Sequence, residues 1–294
     1  MCFSEILGER NKRVIFGVPL ARGELPYLTS LVSHFPHHRG DQGTLCGGSL
    51  IAPNIVLTAA HCVFNEQTRA KALSIRVIVN DFALGKADKF EQEFVTDSFD
   101  IHPLYLKSNF DPSFDLALIY LPTKIDVCKE WPSIKIARLP IDPITKNITD
   151  DQLKMAACFH SGWGVTNDGS NAPVAQRMRV VNIDFRANQH QLGGRTFEVK
   201  GAAGSRPCFG DSGGPVYCDL SNGRYVVGIA SQIGTTDEKK PVNSNVQECS
   251  QASTLEVADL RSQTYEIVRM IKERGLYEEL LASYQICFPN GAGQ

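Results

Sequence analysis

Short apolar segments separated by turn-forming residues are the feature that most limits what this chain can fold into. Residues 73–79, 116–121, 180–183 and 225–229 are such segments, and clusters of Gly, Pro, Asn and Asp lie between them. Short apolar runs bounded by turn residues are typical of β-strands. Many short strands in one chain favour a β-sandwich or a β-barrel. The sequence therefore predicts an all-β fold.

The composition is that of a folded chain without a strong charge. Of the 294 residues, 43% are hydrophobic, which is ample for a packed core in one or two domains. The formal net charge of −2 gives no reason to expect nucleic acid or an anionic membrane as a partner. No apolar stretch approaches the length of a membrane span. Residues 1–13 lack the apolar region of a recognisable signal peptide.

A glycine-rich segment at residues 208–215 places Ser212 between an aspartate and two glycines. Glycine allows backbone angles and close approaches that other residues resist. A serine needs such a backbone if its hydroxyl is to be exposed while neighbouring N–H groups converge on one point. Gly, Asp and Ser also dominate ordinary turns, so this segment taken alone is open to either interpretation.

Two other residues supply what a serine nucleophile requires, namely a base and a group that orients the base. His61 follows the apolar residues 55–57, and Asp115 stands at the head of the apolar residues 116–119. A lone histidine is usually structural, and a lone aspartate before a strand is usually a turn or a cap. The order His, Asp, Ser with these surroundings points to nucleophilic catalysis.

At these three places the sequence resembles the chymotrypsin/trypsin-like serine proteases. Further matching segments cover most of the chain: residues 46–51 (CGGSLI), 100–103 (DIHP) and 161–164 (SGWG). The resemblance implies two antiparallel six-stranded β-barrels, packed face to face with the catalytic residues between them, and a C-terminal α-helix.

The resemblance also divides the chain into four parts. These are an activation peptide (1–13), an N-terminal barrel (14–131), a C-terminal barrel (132–258) and a C-terminal helix with an extension (259–294). The helix is also indicated by the residues themselves, because apolar residues from Leu260 to Ile271 share one face and Gly275 offers a stop.

The resemblance implies a serine endopeptidase that hydrolyses proteins or peptides without a metal or an organic cofactor. Ser212 would be the nucleophile, His61 the general base and Asp115 the group that orients His61. The backbone N–H groups of Gly210 and Ser212 would form the oxyanion hole. The carboxylates of residues 81–93 allow a Ca²⁺ loop, but a solvated acidic face is the favoured interpretation.

A basic run at residues 10–13 precedes the segment where this family starts its mature chain. Cleavage after Arg13 by an activating protease would free the α-amino group of Val14. In the family this group inserts beside the aspartate that precedes the nucleophile, here Asp211. Phe16 stands where glycine is usual. The alternative is a solvated basic run with no processing.

The position that the resemblance assigns to the floor of the specificity pocket holds Arg206, where an aspartate would select Lys or Arg. An arginine there could bind a carboxylate and select Asp or Glu before the scissile bond. Alternatively, a protein carboxylate such as Glu248 or Glu256 neutralises it and closes the pocket. The other substrate-binding positions that the resemblance indicates are Ser231 (beside Asp115), Gln232, Ile233 and Ala252.

Nine cysteines bear on the compartment, although spacing alone does not assign their pairs. The resemblance pairs Cys46 with Cys62, Cys158 with Cys218, and Cys208 with Cys249. Among Cys2, Cys128 and Cys287 one further pair is expected, joining Cys128 to either of the others. Three such bridges need an oxidising compartment. The glycosylation sequon at Asn147 agrees, so we expect a secreted protein.

Two functional classes are consistent with these features. The first is an active endopeptidase, made as a zymogen and subject to protein protease inhibitors. The second is a catalytically weak homologue that acts as a binding or regulatory protein. The intact catalytic residues favour the first, while the altered pocket keeps the second open. An esterase of another serine-hydrolase fold is disfavoured, because those enzymes carry Gly-x-Ser-x-Gly and the order Ser, Asp, His.

Overall fold

The computed structural model describes residues 17–36, 43–129, 134–141, 148–166, 169–185, 190–202, 205–235, 249 and 252–289. Most of the regular structure in these ranges is antiparallel β-sheet, and short α-helices lie mainly at the C-terminal end. The predicted all-β, two-barrel fold class is confirmed.

Seven strands from the first half of the chain form one antiparallel sheet in the order β8-β7-β2-β3-β4-β10-β9. The strands are β2 (Leu28–His34), β3 (Thr44–Ala52), β4 (Ile55–Thr58), β7 (Ser74–Val79), β8 (Gln92–Thr96), β9 (Phe99–Ile101) and β10 (Ala117–Tyr120). A separate hairpin contains β5 (Phe64–Asn65) and β6 (Ala70–Lys71). Among the described residues no strand pairing joins β8 to β9, so this half has seven strands and an open hydrogen-bond circuit.

The second half forms a closed six-stranded barrel. Its strands are β11 (Ala157–Gly162), β12 (Gln176–Asp184), β13 (Thr196–Gly201), β14 (Pro215–Leu220), β15 (Gly223–Thr235) and β16 (Ala252–Asp259). Pairing between β12 and β13 closes the circuit. Strand β1 (Val18–Pro19) pairs with the first residues of β12, which precede the part of β12 that pairs with β13, and Val18 lies opposite Arg177. The start of the described chain therefore lies on the second barrel.

Alternating burial in the strands produces the core. In β7, for example, Ile75, Val77 and Val79 face inward and Arg76 faces outward. Burying each such aliphatic side chain contributes about 1.5–3 kcal/mol of hydrophobic free energy. The core of the first half continues into the second through Trp163, so that the two halves pack on one another.

Two α-helices end the described chain where one had been expected. Helix α1 (Asp150–Met155) is short and precedes β11, while α2 (Leu260–Glu273) and α3 (Tyr277–Cys287) follow β16. Gly275 has a φ of +71° and separates α2 from α3, which confirms the predicted stop. The hydroxyl of Tyr284 in α3 accepts from Leu139 N at 2.9 Å and donates to Ala137 O at 3.2 Å.

Four disulfides join distant parts of the chain. The three pairs that the resemblance assigned are present, and the fourth is Cys128–Cys287, which ties α3 to the segment after β10. Cys2 lies outside the described residues. None of the described helices is long and apolar enough to cross a membrane.

Candidate active site

His61 lies in a short 3-10 helix, Ala60–Cys62, that directly follows β4. The disulfide from Cys62 to Cys46 in β3 anchors this turn, and both cysteines are buried. The His61 side chain is 23% exposed, so its ring is partly accessible at the surface of an otherwise buried turn.

Asp115 follows a second 3-10 helix, Pro112–Phe114, whose start is capped by the Asp111 side chain accepting from Ser113 N at 2.8 Å. Strand β10 begins two residues later and pairs with β4. This pairing brings Asp115 beside His61 although 54 residues separate them. Asp115 is only 2% exposed.

Two hydrogen bonds join His61 to Asp115. The ring nitrogen Nδ1 lies 2.7 Å from Oδ2, and the backbone N–H of His61 donates to Oδ1 at 3.0 Å. Because an ionised carboxylate can only accept, Nδ1 carries a proton. In the neutral ring Nε2 is then unprotonated, which is the tautomer that a general base needs.

A third residue, Ser231, binds the same carboxylate from the second barrel. Its hydroxyl donates to Asp115 Oδ2 at 2.6 Å, and Ser231 lies in β15. The predicted position of Ser231 beside Asp115 agrees with this contact. Asp115 therefore receives hydrogen bonds from both halves of the molecule.

The electrostatics of the pair keep His61 basic. Burial opposes the imidazolium, but attraction to Asp115 and the hydrogen bond between the two outweigh it, so the pKa of His61 is raised. Burial likewise opposes the charged form of Asp115, but the pKa of Asp115 is lowered by His61 and by the Ser231 hydroxyl. Glu66 adds a smaller attraction for a protonated His61 and accepts a hydrogen bond from Tyr105.

The loop that carries Ser212, residues 208–214, is here called the nucleophile loop. Ser212 O accepts from Gly47 N at 2.7 Å, and Gly213 N donates to Ala230 O at 2.8 Å. Gly213 has a φ of +74°, and a Cβ there would overlap Thr58 Oγ1 and lie 3.1 Å from Ala59 N. The loop is therefore pressed between the segment before His61 and the strand that carries Ser231.

Three backbone donors of the nucleophile loop have no acceptor within the described part of the chain. They are the N–H groups of Phe209, Gly210 and Ser212, whereas Asp211, Gly213 and Gly214 donate to backbone carbonyls and Cys208 donates to the Asp211 carboxylate. Gly210 has a φ of +96°, in the left-handed region that glycine tolerates best. Unpaired N–H groups on one tight turn are what an oxyanion hole requires.

The Asp211 side chain is buried and contacts the segment of residues 162–164. Its carboxylate accepts from Gly164 N at 2.8 Å and from Cys208 N at 2.9 Å. A Cβ at Gly162 or Gly164 would overlap the carboxylate, so these two glycines make room for it. Burial raises the pKa of Asp211, against the effect of His160 and of the two N–H donors.

The residues assigned to the specificity pocket differ in their surroundings. Arg206 is half-buried, Gln232 is exposed, and Ile233 packs on the Cys208–Cys249 disulfide. Glu256 accepts a hydrogen bond from Thr196 at 2.9 Å. Ala252 pairs with Thr235 at the end of β15 and β16. Glu248, Arg13, Val14 and Asn147 lie outside the described residues.

The acidic residues between 81 and 93 have protein partners. Asp81 accepts from Ser30 Oγ at 2.5 Å, and Glu93 pairs with Arg76 at 2.6 Å. Asp88 pairs with Arg22. These contacts favour a structural acidic face over a Ca²⁺ loop.

Two residues that the sequence had not singled out also touch the nucleophile loop or its anchor. Asn171 donates to Trp163 O at 2.8 Å, and its Nδ2 lies 2.7 Å from the position that a Cβ on Gly210 would take. His160 has Nε2 3.9 Å from Asp211 Oδ1. The only sequence signal for His160 was its place two residues before Gly162, on the same face of an alternating strand.

These geometries define the class of protein: a two-barrel β-protein with a His–Asp pair beside a glycine-rich serine loop. Residues 14–252 match the family described as Trypsin. Chymotrypsin-like elastase family member 1 of Rattus norvegicus is 31% identical over 245 residues, covering 79% of this chain and 85% of the relative. The human protein of that name is 30% identical over 247 residues, covering 80% and 88%.

The chain therefore belongs to the trypsin family of serine proteases and is a serine endopeptidase of the trypsin fold. Its substrates are accordingly proteins or peptides.

Proposed function

We propose that the protein is an active, secreted endopeptidase that works through an acyl-enzyme on Ser212, with His61 as base and Asp115 as its orienting partner. The observation that carries this proposal is the hydrogen-bonded chain from Ser231 through Asp115 to His61. It lies against a nucleophile loop whose Gly210 and Ser212 N–H groups lack acceptors within the described residues.

In the first half of the reaction, Ser212 Oγ attacks the carbonyl carbon of the scissile bond as its proton passes to His61 Nε2. The negative oxygen of the tetrahedral intermediate accepts from the N–H groups of Gly210 and Ser212. Each such donor lowers the barrier by about 3–4 kcal/mol in proteases where it has been removed. The proton on Nε2 then goes to the leaving amine, and the C–N bond breaks.

In the second half, water takes the place of the amine. His61 Nε2 accepts a proton from the water as its oxygen attacks the acyl carbon, and returns that proton to Ser212 Oγ as the ester bond breaks. Asp115 stays ionised throughout, because its pKa is lowered by His61 and Ser231. Its charge stabilises the imidazolium in both halves.

Activation by cleavage after Arg13 is also part of the proposal. Strand β1 lies on β12, and β12 pairs with β11 at Gly162, against which Asp211 packs. Two strand spacings come to about 10 Å. The three residues between the Val14 amine and Gly17 span about 10 Å when extended. A new α-ammonium at Val14 is thus within reach of Asp211, with which it would form a buried ion pair.

For specificity we propose a preference for Asp or Glu before the scissile bond. Arg206 stands where a trypsin-like pocket carries an aspartate, and a guanidinium can bind a carboxylate through two parallel hydrogen bonds. A basic substrate side chain would meet a like charge. The competing outcome is that a protein carboxylate neutralises Arg206 and closes the pocket, which would leave no preference for acidic residues.

Secretion is supported by the four disulfides, which need an oxidising compartment to persist. The sequon at Asn147 supports it too. Expression of the full gene in a secretory cell should yield disulfide-bonded protein in the medium with a glycan on Asn147. Reduced protein retained in the cytosol would contradict this part of the proposal.

A fluorophosphonate probe tests catalysis directly. Protein verified by N-terminal sequencing to begin at Val14 should be labelled on Ser212, whereas Ser212→Ala and His61→Ala should not. Absence of labelling in the correctly folded wild type would favour the binding or regulatory homologue. Where labelling succeeds, a peptide library profiled with wild type and Arg206→Asp tests specificity. If wild type shows no preference for Asp or Glu before the scissile bond, the proposed role of Arg206 is refuted.

A further inference from the structure

His160 is a buried histidine that the proposed catalytic mechanism does not use. It lies in β11, is 2% exposed, and sits directly opposite Met178 of β12 and Val216 of β14. Its Nδ1 is 3.1 Å from Pro215 O. A carbonyl oxygen only accepts, so Nδ1 carries a proton and the neutral ring has an unprotonated Nε2.

The second ring nitrogen faces a single charged group. His160 Nε2 is 3.9 Å from Asp211 Oδ1, and both side chains are almost completely buried. Within the described part of the chain, Nε2 has no hydrogen-bond partner. The flanking strands present Met178 and Val216, and the nucleophile loop presents Gly214 and Asp211. Asp211 is thus the only titratable neighbour of the imidazole among these residues.

Asp211 in turn has an incomplete environment. Two backbone N–H groups bind its carboxylate, but an ionised carboxylate buried without a cation is strongly disfavoured. After cleavage the Val14 ammonium would supply that cation. Among the described residues, the side chain within 4 Å of this carboxylate that can become a cation is His160.

We infer that His160 is a positioning residue for the nucleophile loop: by taking a proton on Nε2 it supplies the charge that holds Asp211, and hence the oxyanion turn, in the uncleaved chain. This inference rests on the proposed activation mechanism. Its consequence is that the uncleaved chain is a partly active protease whose activity, relative to the cleaved form, rises as the pH falls. Cleavage replaces the imidazolium by the Val14 ammonium and removes this dependence.

Burial opposes the charged form of both groups, and their mutual attraction is what favours an imidazolium on His160 beside an ionised Asp211. Burial lowers the pKa of His160, and attraction to Asp211 acts against that effect. Burial raises the pKa of Asp211. The two groups together therefore hold one proton more readily than none, and losing it with rising pH leaves an uncompensated carboxylate. Loop order in the uncleaved chain is therefore favoured by acid and lost toward alkaline pH.

The test compares uncleaved protein carrying Arg13→Gln with protein cleaved after Arg13. The rate at which a fluorophosphonate labels Ser212 is measured across pH for both. The readout is the labelling rate of the uncleaved protein divided by that of the cleaved protein. The titration of His61 affects both rates and cancels in this ratio. In wild type the ratio should rise toward acidic pH. The His160→Asn variant keeps an amide N–H that can donate to Pro215 O. Its ratio should be about tenfold lower than that of wild type, which corresponds to the loss of an interaction worth about one pKa unit.

Two controls make the result specific. The labelling rate of cleaved His160→Asn should be within about threefold of that of cleaved wild type, because the Val14 ammonium then supplies the positive charge. This difference is well below the tenfold change in rate that about 1.4 kcal/mol produces. His102→Asn removes another histidine that is also 2% exposed but does not touch Asp211, and it should leave the ratio unchanged. A ratio in His160→Asn that matches wild type in size and pH dependence would overturn the inference.

A second measurement covers the case in which His160→Asn does not fold. NMR titration of isotopically labelled histidines in the uncleaved protein should show a higher pKa for His160 than in the Asp211→Asn variant. Equal values would overturn the inference. Failure of the cleaved wild type to label would instead refute the proposed catalytic function, while the NMR comparison would still decide the role of His160.

Discussion

Ser231 Oγ donates to Asp115 Oδ2 at 2.6 Å, and this hydrogen bond crosses from the second barrel to the first. The same oxygen lies 2.7 Å from His61 Nδ1. A single carboxylate oxygen therefore joins the proposed base to strand β15 of the second barrel. Movement of one barrel relative to the other would disturb both bonds at once.

Replacing Ser231 by alanine should slow catalysis without unfolding the protein. A hydrogen bond to a charged group is worth about 1.5–3 kcal/mol, so kcat/KM should fall about tenfold or more. Ser231→Thr keeps the hydroxyl and is the matched control. The measurement is the rate of Ser212 labelling in cleaved protein. Equal rates for the alanine and threonine variants would show that the bond does not support catalysis.

The pH dependence of the cleaved enzyme should follow His61. A proton on Nε2 prevents it from acting as a base, so activity is lost as the pH falls through the pKa of His61. Since that pKa is raised by Asp115, the midpoint should lie above about 6.5, the value for an ordinary histidine. Asp115→Asn should move the midpoint to lower pH and slow labelling by about 10⁴-fold. An unmoved midpoint would contradict the assigned pair.

The same pair links stability to pH. His61, whose pKa is raised, stabilises the fold below its unfolded pKa and loses that contribution as the pH rises through its folded pKa. Asp115, whose pKa is lowered, stabilises the fold above its unfolded pKa and loses that contribution in acid. The free energy of unfolding in urea is measured against pH for Ser212→Ala and for Ser212→Ala/Asp115→Asn. The protein with the intact His61–Asp115 pair should lose its extra stability both in acid and at high pH. Equal pH dependence in the two proteins would refute the linkage.

Gly213 should tolerate alanine much less well than Gly85. Both have a positive φ, at +74° and +71°, so both variants carry backbone strain of about 1 kcal/mol. A Cβ at Gly213 would also overlap Thr58 Oγ1, whereas nothing lies within 4 Å of one at Gly85. Gly213→Ala should lower the melting temperature more than Gly85→Ala and impair Ser212 labelling. Equal effects would show that the loop is not packed against the His61 segment.

The disulfide Cys128–Cys287 should contribute about 2–5 kcal/mol to the free energy of unfolding, as native disulfides typically do. The double variant Cys128→Ser/Cys287→Ser should expose α3 to proteolysis first, because it frees the C-terminal end of that helix. Tyr284→Phe is a useful comparison, since it removes two hydrogen bonds from the same helix but keeps the bridge. Wild-type stability in the double variant would contradict a structural role for the extension.

Much of the fold could be predicted because it depends on patterns local in sequence. Strands such as β7 and β10 follow from short apolar runs, and the stop at Gly275 follows from glycine alone. The open first sheet, its seventh strand and the second C-terminal helix were not predicted. Strand pairing at a sheet edge and the docking of α3 under Tyr284 depend on contacts between residues far apart in the chain.

The sequence by itself determined which reactive groups this protein carries, namely a serine followed by two glycines, a histidine and an aspartate, because residue type fixes the functional group but not its activation. Only the tertiary structure decided which groups share an environment. The pairing of β4 with β10 places Asp115 on His61, and the docking of the second barrel adds Ser231. Packing of β11 against the nucleophile loop puts His160 opposite Asp211, since burial and distance, not residue type, select the partner of a charge.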